Sequence, residues 1–279
     1  MVVDLRIGFL QELYARMALP LVDIHCHLLP AIDDGAANLD EAVEMAQMAV
    51  EDGIGTVIAT PHQLGNFPEN RGDDIRQRVS ALQEEIDRRQ IPLEILAGGD
   101  VRIEDGMAEA IRSGEVVTLA DRRRHVLLEL PHEFYFPLEP VLAQLARQDM
   151  AGILSHPERN QGILRQPALL GPLVEAGCLM QVTAGSLCGT FGKASKKLAC
   201  QMVSDGLVHF VATDAHGMRV RRPRLSRAFR QVVKLAGCEA AEVLCCRNPA
   251  RVAEGRSVSH GCLWPQRRSA WMGLRKAGR

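Results

Sequence analysis

The chain has 279 residues, 47% of them hydrophobic and 24% charged, with a formal net charge of −1. That balance excludes a disordered polyelectrolyte, a collagen-like fibre and a small disulfide scaffold, and it predicts neither nucleic-acid binding nor membrane insertion. The longest uncharged apolar stretches fall well short of the ~20 residues that crossing a bilayer demands.

Residues 1–20 read as an N-terminal extension or short amphipathic helix; Asp4, Arg6 and Glu12 interrupt it, which argues against a signal peptide. A first strand is expected at Leu21–His25. A helix follows, capped by Asn38 or Asp40, running through Gln47 and Val50 and closed by Gly53. A second strand is expected at Thr56–Thr60. From Asp74 to Gln90 the apolar residues Ile75, Val79, Leu82 and Ile86 recur at helical spacing, and Pro92 ends the run. Further strands are expected at Leu93–Ala97, Val126–Leu130, Gly152–Ser155, Leu179–Thr183 and His209–Thr213, with helices at Pro137–Asp149, Pro167–Ala176 and Arg224–Ala236. This alternation predicts parallel strands joined by crossover helices, as one α/β domain over residues 21–255: a distorted seven-stranded TIM-like (β/α) barrel. No GxGxxG follows the first strand, against a dinucleotide fold. Residues 256–279 carry six basic and no acidic side chains, and read as a disordered tail. The eight cysteines show no CxxC spacing, which fits reduced thiols in a cytoplasmic protein.

Five of the nine histidines share one context, the C-terminal end of an expected strand. They are His25 and His27 in Asp23-Ile24-His25-Cys26-His27, His62 in Thr60-Pro61-His62, His156 in Ser155-His156-Pro157, and His216 in Thr213-Asp214-Ala215-His216. Carboxylates occupy matching places: Asp33 and Asp34, Asp100, Glu129 and Asp214. In a β/α barrel these strand ends converge on one mouth. Alternate residues of a strand point the same way, so His25 and His27 can share an ion. Neutral imidazoles with carboxylates suit Zn, Mn or Fe, and so many ligands imply two or three metals. Cys26, between two ligands, should point away from them. Met45 and Met48 read as core.

These stretches resemble the polymerase-and-histidinol-phosphatase (PHP) superfamily of metal-dependent phosphoesterases. Within it they are most similar to the capsule-type bacterial protein-tyrosine phosphatases, the CpsB/YwqE-like group. The resemblance runs through Asp23 to Gly35, Ala59-Thr60-Pro61-His62, Leu127 to Pro131, Leu154 to Arg159, Gln181 to Leu187 and Val211 to His216. It implies a PHP-fold barrel with three divalent metal ions, Mn or Fe first and Mg or Zn as alternatives. It implies His25, His27, Asp34, His62, Asp100, Glu129, His156, Asp214 and His216 as ligands, and Asp33 as a residue that turns the loop or supports a ligand. Asp100 stands where the family usually has Glu, one methylene longer, and so is expected to serve one ion instead of two.

The family pattern also implies phosphate-binding guanidiniums at Arg159 and Arg221, and His62 is carried both as a ligand and as a catalytic candidate. The run from Arg219 to Lys234 has seven positive side chains and no carboxylate, and reads as an electropositive rim that attracts acidic phosphopeptides. The implied reaction is phosphotyrosine hydrolysis by a metal-bridging hydroxide. The implied partner is the tyrosine-rich tail of a bacterial tyrosine kinase of capsule or exopolysaccharide export; the oligomeric state, a homo-oligomer included, is left open. Two rival readings stand beside it: another phosphoesterase of the superfamily, acting on histidinol phosphate or a nucleotide, and a non-catalytic metal-binding regulator of the kinase.

Overall fold

The structure, a computed structural model, describes residues 20–264. The expected helix within 1–20 and the tail beyond 264 lie outside the described residues. Among the described residues nine strands are formed, all paired in parallel. They are β1 (Leu21–Cys26), β2 (Ile54–Ala59), β3 (His62–Gln63), β4 (Glu94–Ala97), β5 (Asp100–Arg102), β6 (His125–Glu129), β7 (Ala151–Ser155), β8 (Leu179–Thr183) and β9 (Phe210–Ala212). They form two sheets, β1-β2-β4 and β3-β5-β6-β7-β8-β9.

All seven expected strands have counterparts, but the expected closed barrel is not formed by strand pairing. The second path is broken between β2 and β3 at Thr60-Pro61, where proline has no N–H to give the ladder. The third is broken between β4 and β5 at Gly98-Gly99. A Cβ at Gly98 would stand 2.7 Å from Ile58 Cγ2, so the chain there runs too close to its neighbour for a side chain. The first and last strands touch through one bridge, Cys26 to Ala215. A buried carboxylate does the rest: Asp23 accepts from the Thr213 amide at 2.9 Å and from the Thr213 hydroxyl. Beyond the two backbone bonds at that bridge, Asp214 N–H to His25 O at 2.7 Å and His27 N–H to Ala215 O at 2.9 Å, a side chain stands where further ladder hydrogen bonds would close the ring.

Helices lie between the strands: α1 (Leu39–Glu51), α2 (Gly72–Arg88), α3 (Met107–Ser113), α4 (Glu139–Ala146), α5 (Gln161–Arg165), α6 (Leu170–Glu175), α7 (Ala184–Cys188), α8 (Gly192–Ser204), α9 (Ser226–Ala236), α10 (Cys238–Glu242) and α11 (Asn248–Ala253). Asn38 caps α1, its side chain accepting from the Glu41 amide at 3.0 Å. The stripe Ile75, Val79, Leu82 and Ile86 is the buried face of α2, as its spacing predicts. The predicted Pro167–Ala176 helix is instead a 3₁₀ turn at Pro167–Leu169 followed by α6. Helix α9 starts at Ser226, two residues after the predicted start. Asp52 receives the Leu225 and Ser226 amides there at 2.7 and 2.8 Å and so fixes the helix entry. No helix among the described residues is long and apolar enough to cross a membrane.

Alternate strand residues build an inner cluster of Val22, Ile24, Ile58, Leu127, Ile153, Leu179, Phe210 and Ala212. Their neighbours along each strand face the helices and join a larger outer cluster that includes Met45, and a register irregularity in β1 between Asp23 and Cys26 brings Cys26 into that cluster too. Cys26 therefore points away from the histidines flanking it, while Met48 is only partly buried. Each such side chain taken fully out of water contributes about 1.5–3 kcal/mol before entropy is counted. Residues 256–264 belong to the domain rather than to a free tail. Val258 is buried in the inner cluster, and the Leu263 amide donates to Gly206 O at 3.0 Å.

Candidate metal centre

His25 and His27 leave β1 on the same side. Each ring is oriented by a partner on its far nitrogen: His25 Nδ1 lies 2.9 Å from Gln181 Oε1, and His27 Nδ1 lies 2.7 Å from Asp33 Oδ2. Both acceptors require an N–H at Nδ1, which assigns the proton there and leaves each Nε2 as a lone pair. Burial, and next the nearby His216, push His27 down to about 4, so it stays neutral at pH 7. The two lone-pair nitrogens face each other at 3.3 Å. Asp214 Oδ1 lies 3.3 Å from His25 Nε2 and 3.6 Å from His27 Nε2, and Asp100 Oδ2 lies 3.6 Å from His25 Nε2. Four electron-rich atoms therefore meet with no proton to share among themselves; the one donor is the Arg221 guanidinium, which reaches Asp214 Oδ1 from the rim. A cation is what such a convergence accommodates.

The Asp33-Asp34-Gly35 turn folds back onto β1. A Cβ on Gly35 would sit 2.3 Å from His27 O, so only glycine allows the approach. Asp33 accepts from the Gly35 and His62 amides at 2.9 and 3.0 Å as well as from His27, which makes it a supporting residue. Its neighbour Asp34 reaches outward, 3.4 Å from His62 Nε2 and 3.3 Å from His216 Nε2. Those two imidazoles hold the Asp34 carboxyl well below its usual range, against the cost of burial.

His62 comes from β3 and stacks on Phe67, with ring centroids 5.2 Å apart. Its Nδ1 lies 3.4 Å from Asp100 Oδ2 and 3.7 Å from Glu129 Oε2. Burial alone would lower His62, but Asp100, Asp34 and Glu129 outweigh it and carry the ring up to about 11. Glu129 is pushed up to about 7 by burial and then by Asp100, and Arg102 pairs with it at 3.1 Å. Asp100 is fully buried, and neither of its oxygens has a hydrogen-bond partner; nor does the buried His216 Nε2. Unpartnered buried acceptors of this kind are costly in a chain without a cation.

His156 and Asp214 end β7 and β9 in left-handed backbone, with φ of 35° and 52°. Non-glycine residues pay strain in that region, and the strain turns both side chains into the bowl. Burial, then the Arg159 charge, keep His156 neutral. Arg159 and Arg221 both pair with Asp214, on Oδ2 and Oδ1 respectively, and Arg221 Nε also donates to Asp214 O at 3.1 Å. The turn carrying Arg159 is pinned from behind by buried Glu158, which accepts from the Thr183 amide at 3.1 Å and the Ser186 hydroxyl at 2.6 Å.

The candidate ligands form four overlapping groups, each with donor atoms within 4.8 Å: His27, Asp34, His62 and His216; His25, His27 and Asp100; His25, His156 and Asp214; and His62, Asp100 and Glu129. Every residue expected from the sequence as a ligand falls in them. Asp100 belongs to two groups despite its shorter side chain. The sequence reading did not single out Gln181, Glu158, Arg102 or His132, of which Arg102 and His132 line the cleft. The signal available for Gln181 was a polar residue inside the apolar run Leu179–Val182; Glu158, among polar neighbours, offered no such signal. The cleft over the bowl measures about 250 Å³ and is lined by Asp34, His62, Glu129, His156, Asp214 and both arginines, among others.

A parallel α/β scaffold with such a bowl at its strand ends, and two guanidiniums at the lip, defines a class: the metal-dependent hydrolases of phosphoric monoesters. Within it, the chain belongs to the CpsB/CapC family of capsular polysaccharide synthesis, whose model matches residues 21–254. The tyrosine-protein phosphatase YwqE of Bacillus subtilis (strain 168) is 36% identical over 226 residues, 80% of this chain and 88% of YwqE. The tyrosine-protein phosphatase CpsB of Streptococcus agalactiae serotype V is 25% identical over 244 residues, 85% of this chain and 100% of CpsB. The fold superposes with TM-score 0.83 and 33% identity on a structure from work on YwqE of Bacillus subtilis and CpsB of Streptococcus pneumoniae, described as unique metal-dependent tyrosine phosphatases. That match covers 89% of this chain and 100% of the solved one.

Proposed function

We propose that the protein is a metal-dependent protein-tyrosine phosphatase. The observation that carries this reading is the meeting of lone-pair nitrogens and buried, unpartnered carboxylate oxygens directly beneath Arg159 and Arg221. The nine residues of the bowl would hold three divalent ions, Mn or Fe before Mg or Zn, with His25, His27, His62 and Asp100 shared between groups. Ions bound there supply a water of lowered pKa and Lewis-acid stabilisation of phosphoryl oxygens. Arg159 and Arg221 grip the phosphoryl oxygens, since a planar guanidinium offers paired donors that lysine cannot. Asp214 holds both arginines in place. Gln181 and Asp33 keep the His25 and His27 lone pairs turned inward. The leaving phenolate has a conjugate acid of pKa ~10, so departure needs little proton assistance; His62, which lines the cleft, supplies it only through a ring nitrogen that holds no ion.

The substrate under this reading is the phosphotyrosine tail of a bacterial tyrosine kinase that controls capsule or exopolysaccharide export, met on the cytoplasmic side. Membership of a capsule-synthesis family and the names of the relatives support it. The decisive test pairs metal analysis with p-nitrophenyl phosphate turnover in the wild type and in His156→Ala. Two to three Mn or Fe per chain are expected, with turnover blocked by chelator and cut at least about a hundredfold in the variant. Phosphotyrosine peptides should then be hydrolysed in preference to phosphoserine peptides. Bound metal with no turnover of any phosphoester would overturn the reading in favour of a non-catalytic regulator.

A further inference from the structure

Beside the metal bowl lies a second, smaller cleft of about 130 Å³, whose lining includes Phe191, Val220, Arg221, Arg222, Arg224 and Arg227. Arg221 lines both clefts, so the two adjoin across a single side chain. The floor is built. A Cβ on Gly185 would come within 2.9 Å of the Phe191 ring, so this glycine lets Phe191 pack inward. Phe191 in turn backs the lip of the bowl, with the Arg159 guanidinium 4.2 Å from its ring centre and that of Arg221 at 6.0 Å.

The charges in this cleft are one-sided. Arg76, Arg78, Arg88, Arg89 and Arg247 all find carboxylates within 4 Å on the surface. Arg222, Arg224 and Arg227 are exposed, and among the described residues neither Arg222 nor Arg227 makes an ion pair. Arg222 spends one donor on Arg219 O at 2.8 Å, which holds its base against the loop and leaves its outer nitrogens without a carboxylate partner. Val220, 75% exposed, supplies an apolar edge at the same rim. Arg224 also faces the Asp52 carboxylate, whereas Arg222 and Arg227, next to the Phe191 floor and a phosphoryl-binding arginine, match an anionic side chain carried on the same chain as the phosphate.

We propose that this cleft is a subsite for an aspartate or glutamate flanking the phosphotyrosine. On this assignment Arg222 and Arg227 are specificity-determining residues that favour acidic peptides. An extended peptide advances about 3.3–3.6 Å per residue, so the selected carboxylate lies within about three positions of the phosphotyrosine. The assignment rests on the phosphatase reading given above.

The test compares kcat/KM on a glutamate-flanked phosphotyrosine peptide, an alanine-flanked one and p-nitrophenyl phosphate, for wild type and the double variant R222E/R227E. The glutamate peptide should lose about tenfold, while the other two stay within about twofold. The milder pair R222Q/R227Q should lose about threefold on the glutamate peptide alone, which keeps the test open if charge reversal disturbs folding. Equal losses on all three substrates, or no wild-type preference for the acidic peptide, would overturn the subsite. So would an unchanged peptide preference accompanied by lost sedimentation with phosphatidylglycerol vesicles, which would assign these arginines to a lipid surface. Fluorescence anisotropy of labelled, unphosphorylated glutamate-flanked and alanine-flanked peptides reads the subsite without hydrolysis. A difference there that vanishes in R222E/R227E supports it even if turnover of phosphotyrosine, and with it the parent reading, fails.

Discussion

His62 and His209 are both largely buried, yet their surroundings drive them in opposite directions. At the C-terminal strand ends His62 sits among three carboxylates and is carried up to about 11. At the N-terminal end of β9, His209 has no carboxylate beside it, and burial lowers it to about 4. Its Nε2–H donates to Gly261 O at 3.1 Å and its Nδ1 accepts the Met180 amide at 3.1 Å, so both ring nitrogens are satisfied in the neutral form. His125, at the start of β6, is likewise buried and lowered to about 4. Carboxylates crowd one end of the strands and are missing beside His209 at the other, while burial lowers His27 in the bowl as it lowers His209. The residue type is the same at both ends; the nearby carboxylates decide which histidines can serve a metal.

The sharpest way to break that contrast is to take negative charge from the bowl. Asp214→Asn keeps the shape but removes the carboxylate that faces His25 and His27 and holds both arginines. Turnover of p-nitrophenyl phosphate should fall more than about a thousandfold, and metal content by mass spectrometry should drop with it. Full metal loading with near-normal turnover would refute the assigned role. A smaller effect is expected from Arg159→Lys, which keeps the charge and loses the planar fork. We expect kcat/KM to fall about ten- to a hundredfold with metal content unchanged; a loss of metal instead would make Arg159 a support for Asp214 alone.

The smallest effect belongs to the opposite end. His209 has a folded pKa below its unfolded value of about 6.5. Above pH 6.5 it is neutral in both states and its contribution is fully present. As pH falls toward 4 the unfolded chain takes the proton and the folded one resists it, so stability declines, by up to about 3 kcal/mol. Thermal melts at pH 7.5, 6 and 5 should fall progressively, and His209→Asn should flatten that slope. An unchanged slope would show that protonation of this ring is not coupled to unfolding.

The bowl was legible in the sequence because its residues occupy a repeated local position. A histidine or carboxylate at the end of each of several apolar runs needs only strand period and barrel convergence to be read as one site. The breaks at Pro61 and at Gly98-Gly99 were visible as letters, but not as interruptions of pairing, since pairing depends on neighbours far away in the chain, as Asp100 on Leu127 and Thr56 on Glu94. The left-handed backbone at His156 and Asp214 was hidden for a related reason. Neither residue type demands it, and only packing and hydrogen bonds from other strands enforce it. Both arginines were expected to meet phosphate directly. The structure adds that each is first held by Asp214, a contact across 55 residues for Arg159. The docking of residues 256–264 was missed because the run of basic residues further on concealed one buried valine and two backbone hydrogen bonds.

The Asp23–Thr213 contact joins positions 190 residues apart. It therefore imposes an order on how the protein comes into being at the ribosome. The group of His62, Asp100 and Glu129 is complete once residue 129 has been made, but the two groups that include Asp214 or His216 draw on β1 as well. They exist only after the last strand arrives and docks beside the first. A nascent or truncated chain ending before β9 would carry most of the histidines and still lack the finished bowl, so metal capture in full is a late event that reports completion of the whole domain.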